Sequence, residues 1–237
     1  MGNRTQCLKV VMPVFLDARE KRVFFAHVPK TGGTYIEDLF RQNGYERHFW
    51  DGYPHRLGLT CSPQHYHAAF FAPLLDLDGM DFGFMTVRNP VDRLLSEYRH
   101  QAKTIKDGSA IAPLTVWLEN MATAMWVTPL MMDNHMRPQV DFYHPTLEIF
   151  RQEDGFDRKW AKAVNRKYGL GLKKFDVPRR RNTSVDQAPL SSGERDALID
   201  FCTEQYKADF EFFKYQPEHS ALMQTSDRAM LLMVCVR

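Results

Sequence analysis

The sequence is poor in cysteine and has no close pair of them: Cys7, Cys61, Cys202 and Cys235 are scattered, with no CxxC and no Cys/His spacing of the zinc-binding type. That excludes a disulfide framework and a zinc-finger scaffold, and reads as reduced thiols. Long hydrophobic runs are lacking too. The first 22 residues hold one short apolar stretch, interrupted by Pro13 and ended by charge, and the apolar tail at 229–236 is too short to span a bilayer. Neither a signal peptide nor an anchor is expected. Gln6 stands where a myristoylation signal wants Ser or Thr, and the sequon at Asn182 means nothing without secretion. A cytoplasmic location follows as the expectation. Charge of one sign is also missing. Thirty-one basic against 29 acidic residues leave +2, which argues against a dedicated nucleic-acid binder but not against a local anion site. There is no internal repeat and no low-complexity linker.

What is present suits one α/β domain over 1–237. At 237 residues and 44% hydrophobic, the chain can bury a core without metal or disulfide staples, and its 17 Phe promise dense packing. RVFFA (22–26) reads as a buried strand, followed by His27-Val28-Pro29-Lys30-Thr31-Gly32-Gly33-Thr34 and a helical spacing at 35–42. A second unit repeats the arrangement: strand 82–87, a turn at Arg88-Asn89-Pro90, and an amphipathic helix at 91–103. A weaker strand at 146–150 precedes a basic helix near 157–168, and Ser191 with Glu194 offers a capping box before a helix at 194–207. Strand–loop–helix units in series imply a parallel sheet flanked by helices, with ligands at the carboxyl ends of its strands. The segment 47–64 has no period. The Met- and Trp-rich segment 113–132 reads as a core helix, with an apolar acceptor wall as the alternative.

The first loop has the chemistry of a phosphate cradle. Two glycines after a strand let successive N–H groups face one anion, and the next helix adds its positive end. Lys30 supplies charge, and Thr31 and Thr34 supply hydroxyls. It is not a Walker A loop, since Lys30 precedes the glycines. Alone, such a loop reads as a Gly-Gly turn with a surface lysine. The second loop places Arg88 at a strand end and Ser96 two turns into a helix, fit for another phosphate, while Arg93 could be an ion-pair residue. Two anion loops on one sheet imply a ligand with phosphates at both ends.

HVPKTGGT followed by TVRNPVDRLLSEYR resembles the paired motifs of the sulfotransferases that use 3′-phosphoadenosine 5′-phosphosulfate (PAPS), in the carbohydrate branch near the heparan sulfate 2-O and chondroitin 4-O types. The likeness continues in 133–139, similar to an HW-x-PQ segment, in YKADFEFFKY (206–215), and in the basic loop 179–184, so it covers about 22–215. The resemblance implies a P-loop-NTPase-like sheet and a metal-free transfer of a sulfuryl group from PAPS to a hydroxyl. It assigns Lys30, Thr31, Gly32, Gly33, Thr34 and Tyr35 to the 5′-phosphosulfate, Arg88 and Ser96 to the 3′-phosphate, and Arg180 to the loop over the nucleotide. Lys30 would neutralise charge on the leaving phosphate.

An acceptor hydroxyl also needs a base. The pair His65 and His67 before the second strand suits that role, because imidazole titrates near neutrality. The 2-O-type enzymes carry a similar HxH, whose second His is the base; by that likeness the role goes to His67, with His65 as neighbour or substitute. Either could be structural. Glu37 and Asp38, on the helix leaving the first loop, are rival bases or solvated residues near its dipole. His27 is expected to shape the loop, and His100 and His135 are unassigned. The weak net charge gives little sign of a groove for a heparin-like polyanion, so a neutral sugar, a glycolipid head group or a small alcohol fits as acceptor. The rival functions are a nucleotide or small-molecule kinase, disfavoured by the missing Walker order and Mg²⁺ carboxylate, and a non-catalytic nucleotide-binding protein.

Overall fold

The computed structural model describes residues 14–48, 60–105, 109–175 and 189–219. Along the chain β1 (Val14–Leu16) and β2 (Arg22–Ala26) form a hairpin, and the loop after β2 opens α1 (Gly33–Gln42) and then β3 (Glu46–His48). The short α2 (Ala68–Phe71) precedes the second unit, β4 (Phe82–Val87) and α3 (Pro90–Thr104). Then come α4 (Leu114–Val127), the one-turn α5 (Met131–Asn134), β5 (Glu148–Arg151), α6 (Arg158–Tyr168), α7 (Ser192–Gln205) and α8 (Lys207–Phe213).

The sheet runs β3-β1-β2-β4-β5. β2, β4 and β5 pair in parallel, as the sequence implies, but β1 lies antiparallel between β2 and β3. The sheet is therefore mixed rather than purely parallel. Sequence pattern passed over β1 and β3 because three-residue strands are too short to show a period of two.

Both faces of β2 are buried, which is why it reads as a continuous apolar run instead of an alternation. Phe24 and Ala26 pack with Met85, Val87, Phe71 and Phe142 on one side; Val23 and Phe25 pack with Phe82, Phe84, Ile36 and Phe40 on the other. Each buried Phe stabilises the fold by roughly 1.5–3 kcal/mol. A separate cluster on the first half of α3 joins Leu94 and Leu95 to Trp117 and Leu118 of α4 and Leu198 and Cys202 of α7. The capping box at Ser191 and Glu194 forms as expected.

α4 departs from a core helix. Leu114, Trp117 and Leu118 are buried, but Trp126 is 83% and Val127 77% exposed, so only its first half is core. Cys61 and Cys202 are buried free thiols; Cys7 and Cys235 lie outside the described residues.

Candidate functional site

The loop after β2 is a backbone cradle. Lys30 sits in the left-handed region (φ 68°), a conformation that costs a non-glycine residue about 1–3 kcal/mol. Gly32, the N-cap of α1, follows at φ 96°. Among the described residues, the N–H groups of Gly32, Gly33 and Thr34 have no hydrogen-bond acceptor, as expected where a helix begins. Thr31 departs from expectation in its side chain: the hydroxyl donates to the Val28 carbonyl (2.7 Å) and pairs with Thr86 (2.7 Å), fully buried. It ties the loop to β4. Thr34 is exposed and Tyr35 half-buried. Gly33 is required for another reason: a Cβ there would lie 1.9 Å from His27 Nε2.

Arg88 leaves β4 beside this loop, and its guanidinium donates to the Lys30 carbonyl at 3.4 Å. Its backbone is clamped. Gln139 accepts from the Arg88 N–H (2.9 Å) and donates to its carbonyl (2.8 Å), while Asp209 of α8 accepts from the N–H groups of Gln139 and Val140. The two later motifs, at 133–139 and 206–215, thus act as the mounting of Arg88. Asn89 caps α3 by accepting from the Val91 N–H, and its own N–H donates to Glu153. Arg93 is structural: 2% exposed, it donates to the carbonyls of His135 and Arg137 and lies over the Tyr206 ring. Ser96 is half-buried on α3. Burial pushes the Lys30 ammonium below its ordinary pKa, Glu97 pulls it back up, and Arg88 and Lys103 push it further down. Burial likewise lowers Arg88. Two partly buried cations beside the N–H groups of Gly32, Gly33 and Thr34 make a donor set suited to an anion.

Three imidazoles line up beside the cradle. His27 and His65 stand edge to face at 5.0 Å between ring centres, and His65 and His135 at 4.8 Å. Each donates its Nδ1–H to a carboxylate: His27 to Glu37 (2.9 Å), His65 to Asp133 (2.8 Å), His135 to Glu97 (2.7 Å). Such a partner fixes ring orientation and leaves Nε2 as the functional nitrogen. Asp133 is also bonded by the Ser62 N–H and hydroxyl, and these bonds with His65 hold its carboxyl well below the usual range although burial works against them. Burial lowers His65 to about 4 and Asp133 works against it, so the ring is neutral at physiological pH.

The structure separates the candidate bases. His67 packs on Phe70 (4.4 Å) and has Asn134 Nδ2 3.5 Å from its Nδ1, with no carboxylate bonded to it among the described residues. Burial, then Arg137, lowers it to about 4. Both oxygens of Glu37 are engaged, by His27 and by Arg47 (2.7 Å), and these partners hold its pKa below the ordinary value against burial. Asp38 pairs with Arg41 near the surface. Arg180 lies outside the described residues. Asp133, Glu97 and Gln139 were not singled out by sequence reasoning; only their place in quoted motifs marked them. No helix among the described residues is long and apolar enough to cross a membrane.

No curated protein and no solved structure matches the chain. The model of one family does, over residues 13–216, from β1 to beyond α8 and so across both strand-end loops and all three imidazoles. The chain belongs to the sulfotransferase family and is a sulfotransferase enzyme.

Proposed function

We propose that this sulfotransferase takes its sulfuryl group from PAPS, binding it across the loops after β2 and β4, and delivers it to a carbohydrate or glycoconjugate hydroxyl with His65 as base. The carrying observation is the approach of Arg88 to Lys30 across two parallel neighbours, which sets two anion loops on one crevice. The residues fit the donor: the N–H groups of Gly32, Gly33 and Thr34 with Lys30 suit its 5′ end, and Arg88 with Ser96 its 3′-phosphate. Bound there, PAPS supplies a sulfuryl group already activated by a phosphate leaving group.

The side chains do the rest. Lys30 places its charge where negative charge grows on the leaving oxygen, the kind of preorganised stabilisation that dominates such transfers. Arg88, held rigid by Gln139 and Asp209, fixes the other end. His65 has Nδ1–H committed to Asp133, and its Nε2 lone pair, which the Gln64 amide occupies at 3.1 Å, takes the acceptor proton once the acceptor hydroxyl displaces that amide. We assign the base to His65 in preference to His67 because only His65 combines a carboxylate partner with a place between His27, which touches the cradle, and His135. A small or neutral saccharide fits the weak net charge of +2.

The test is incubation with sulfur-labelled PAPS and a panel of neutral sugars, glycolipids and small alcohols. Label should appear on a saccharide in the wild type and not in His65→Asn. Turnover of Mg-ATP without use of PAPS, or binding of PAPS with transfer to none of the panel, would contradict the reading.

A further inference from the structure

We propose that His65, Asp133 and His135 form a binding site for a divalent transition ion of the zinc type, and that filling it switches sulfuryl transfer off. The site stands on geometry alone; the switch rests on His65 being the base. One nitrogen or oxygen from each residue lies within 4.8 Å of the others. Two imidazoles and one carboxylate with a fourth position open are a zinc donor set. His65 Nδ1 and Asp133 Oδ2 are 2.8 Å apart, near the about 3.3 Å that two ligands keep on one tetrahedral ion with bonds of about 2.0 Å. An ion bonded to both atoms takes the place of the proton they share.

The surroundings are built for it. Glu97 accepts the Nδ1–H of His135, which leaves Nε2 as that ring's free donor; a carboxylate behind a ligating histidine is the usual second partner of such sites. Met132, Asp133 and Asn134 are three consecutive non-glycine residues in the left-handed region, with φ of 52°, 57° and 65°. That turn sets Asp133 against His65, while the Asn134 amide donates to the His65 carbonyl at 2.7 Å. Backbone strain on this scale persists only where the surroundings enforce it.

Gln64 supplies an independent sign. Its Nε2 is 3.1 Å from His65 Nε2, yet its Oε1 is buried without a partner. With Nδ1–H on Asp133, the Gln64 amide donates to the Nε2 lone pair. With an ion on Nδ1, the imidazole proton sits on Nε2, and the same amide turned over accepts it through the oxygen that is otherwise orphaned. The ring stays neutral and only its tautomer changes. In the second state Nε2 has no lone pair, so it cannot take the acceptor proton. Ion binding and base catalysis therefore exclude one another at a single ring.

The experiment titrates the chelator-treated full-length protein with ZnCl₂ by calorimetry, with MgCl₂ as control and CoCl₂ for absorbance. Wild type, Asp133→Asn and His135→Gln are compared, each checked for folding by its thermal melt. One equivalent of zinc should bind the wild type, and no magnesium. Each variant should bind at least tenfold more weakly, and cobalt should give the visible bands of a low-coordinate site in the wild type alone. Transfer should fall over the same zinc range and return with EDTA. Absence of saturable zinc binding, or binding undiminished in both variants, overturns the site and leaves His65 as base untouched. Zinc that binds without slowing transfer overturns the switch and counts against His65 as the base.

Discussion

Lys30 and Arg88 each reach the crevice within four residues of a strand that ends in the middle of the sheet, whereas the carboxylate that orients His65 comes from 68 residues further along the chain. On the anion side, the strand gives the direction, two glycines give the turn, and the charge lies next to both in sequence. On the histidine side, a 3₁₀ turn (Pro63–His65), a left-handed turn at 132–134 and the buried helix α3 each contribute one piece. The first kind of site is a local motif carried by backbone; the second is a constellation that exists only after folding. Their loss should look different. Damage to the anion side weakens donor binding together with transfer, while damage to the histidine side stops transfer and leaves the donor bound.

The sharpest separation is expected from His65→Asn, which should lower single-turnover transfer by about 10²–10⁴, the usual worth of a general base, with donor affinity unchanged. His67→Ala should leave transfer near wild type, since that ring packs on Phe70 outside the imidazole line. If His67→Ala is the more damaging of the two, the base has been misassigned. Lys30→Ala follows, with about 10²–10³ lost from transfer and a weaker donor titration as well. Lys30→Ala with intact donor affinity would blur the contrast between the two sides.

Two smaller effects concern how the sides are joined. Gly33→Ala places a methyl group against His27 Nε2, so ring or helix must move, at about 1–3 kcal/mol. A melting temperature lower by several degrees is expected, and an unchanged one would mean that His27 is loosely held. Glu37→Gln tests the brace behind His27. Glu37 has a folded pKa below its ordinary 4.5, so its charge contributes stability that is present above that value and lost as pH falls through the depressed one. The variant should melt below wild type at pH 7, and the gap should close as pH drops below 4.5. A gap that does not narrow in acid would show that packing, and not the charge on Glu37, makes the brace.

How far the sequence was legible follows the same division. RVFFA, FGFMTV, the glycines at 32 and 33, Pro90 and the Ser191 cap are signals contained in a few adjacent residues, and the elements formed where they stand. β1 and β3 were not legible because three residues carry no period, and Trp126 was misjudged because composition does not tell which turn of a helix meets the core. Thr31 looked like a hydroxyl for an anion; the depth of the β2–β4 pair below the loop, which no local pattern records, put it on Thr86. His65 and His67 were marked as a pair by residue type alone. Choosing between them needs Asp133, and nothing in a single chain of letters places residue 133 beside residue 65.

The most direct test is one calorimetric titration of 3′-phosphoadenosine 5′-phosphate, with adenosine 5′-phosphate as control, into wild type, Arg88→Ala and His65→Asn. The account predicts micromolar binding that depends on the 3′-phosphate in wild type, the same affinity in His65→Asn, and a loss of that dependence in Arg88→Ala. Absence of binding by the wild type, or an affinity that falls as far in His65→Asn as in Arg88→Ala, would contradict it.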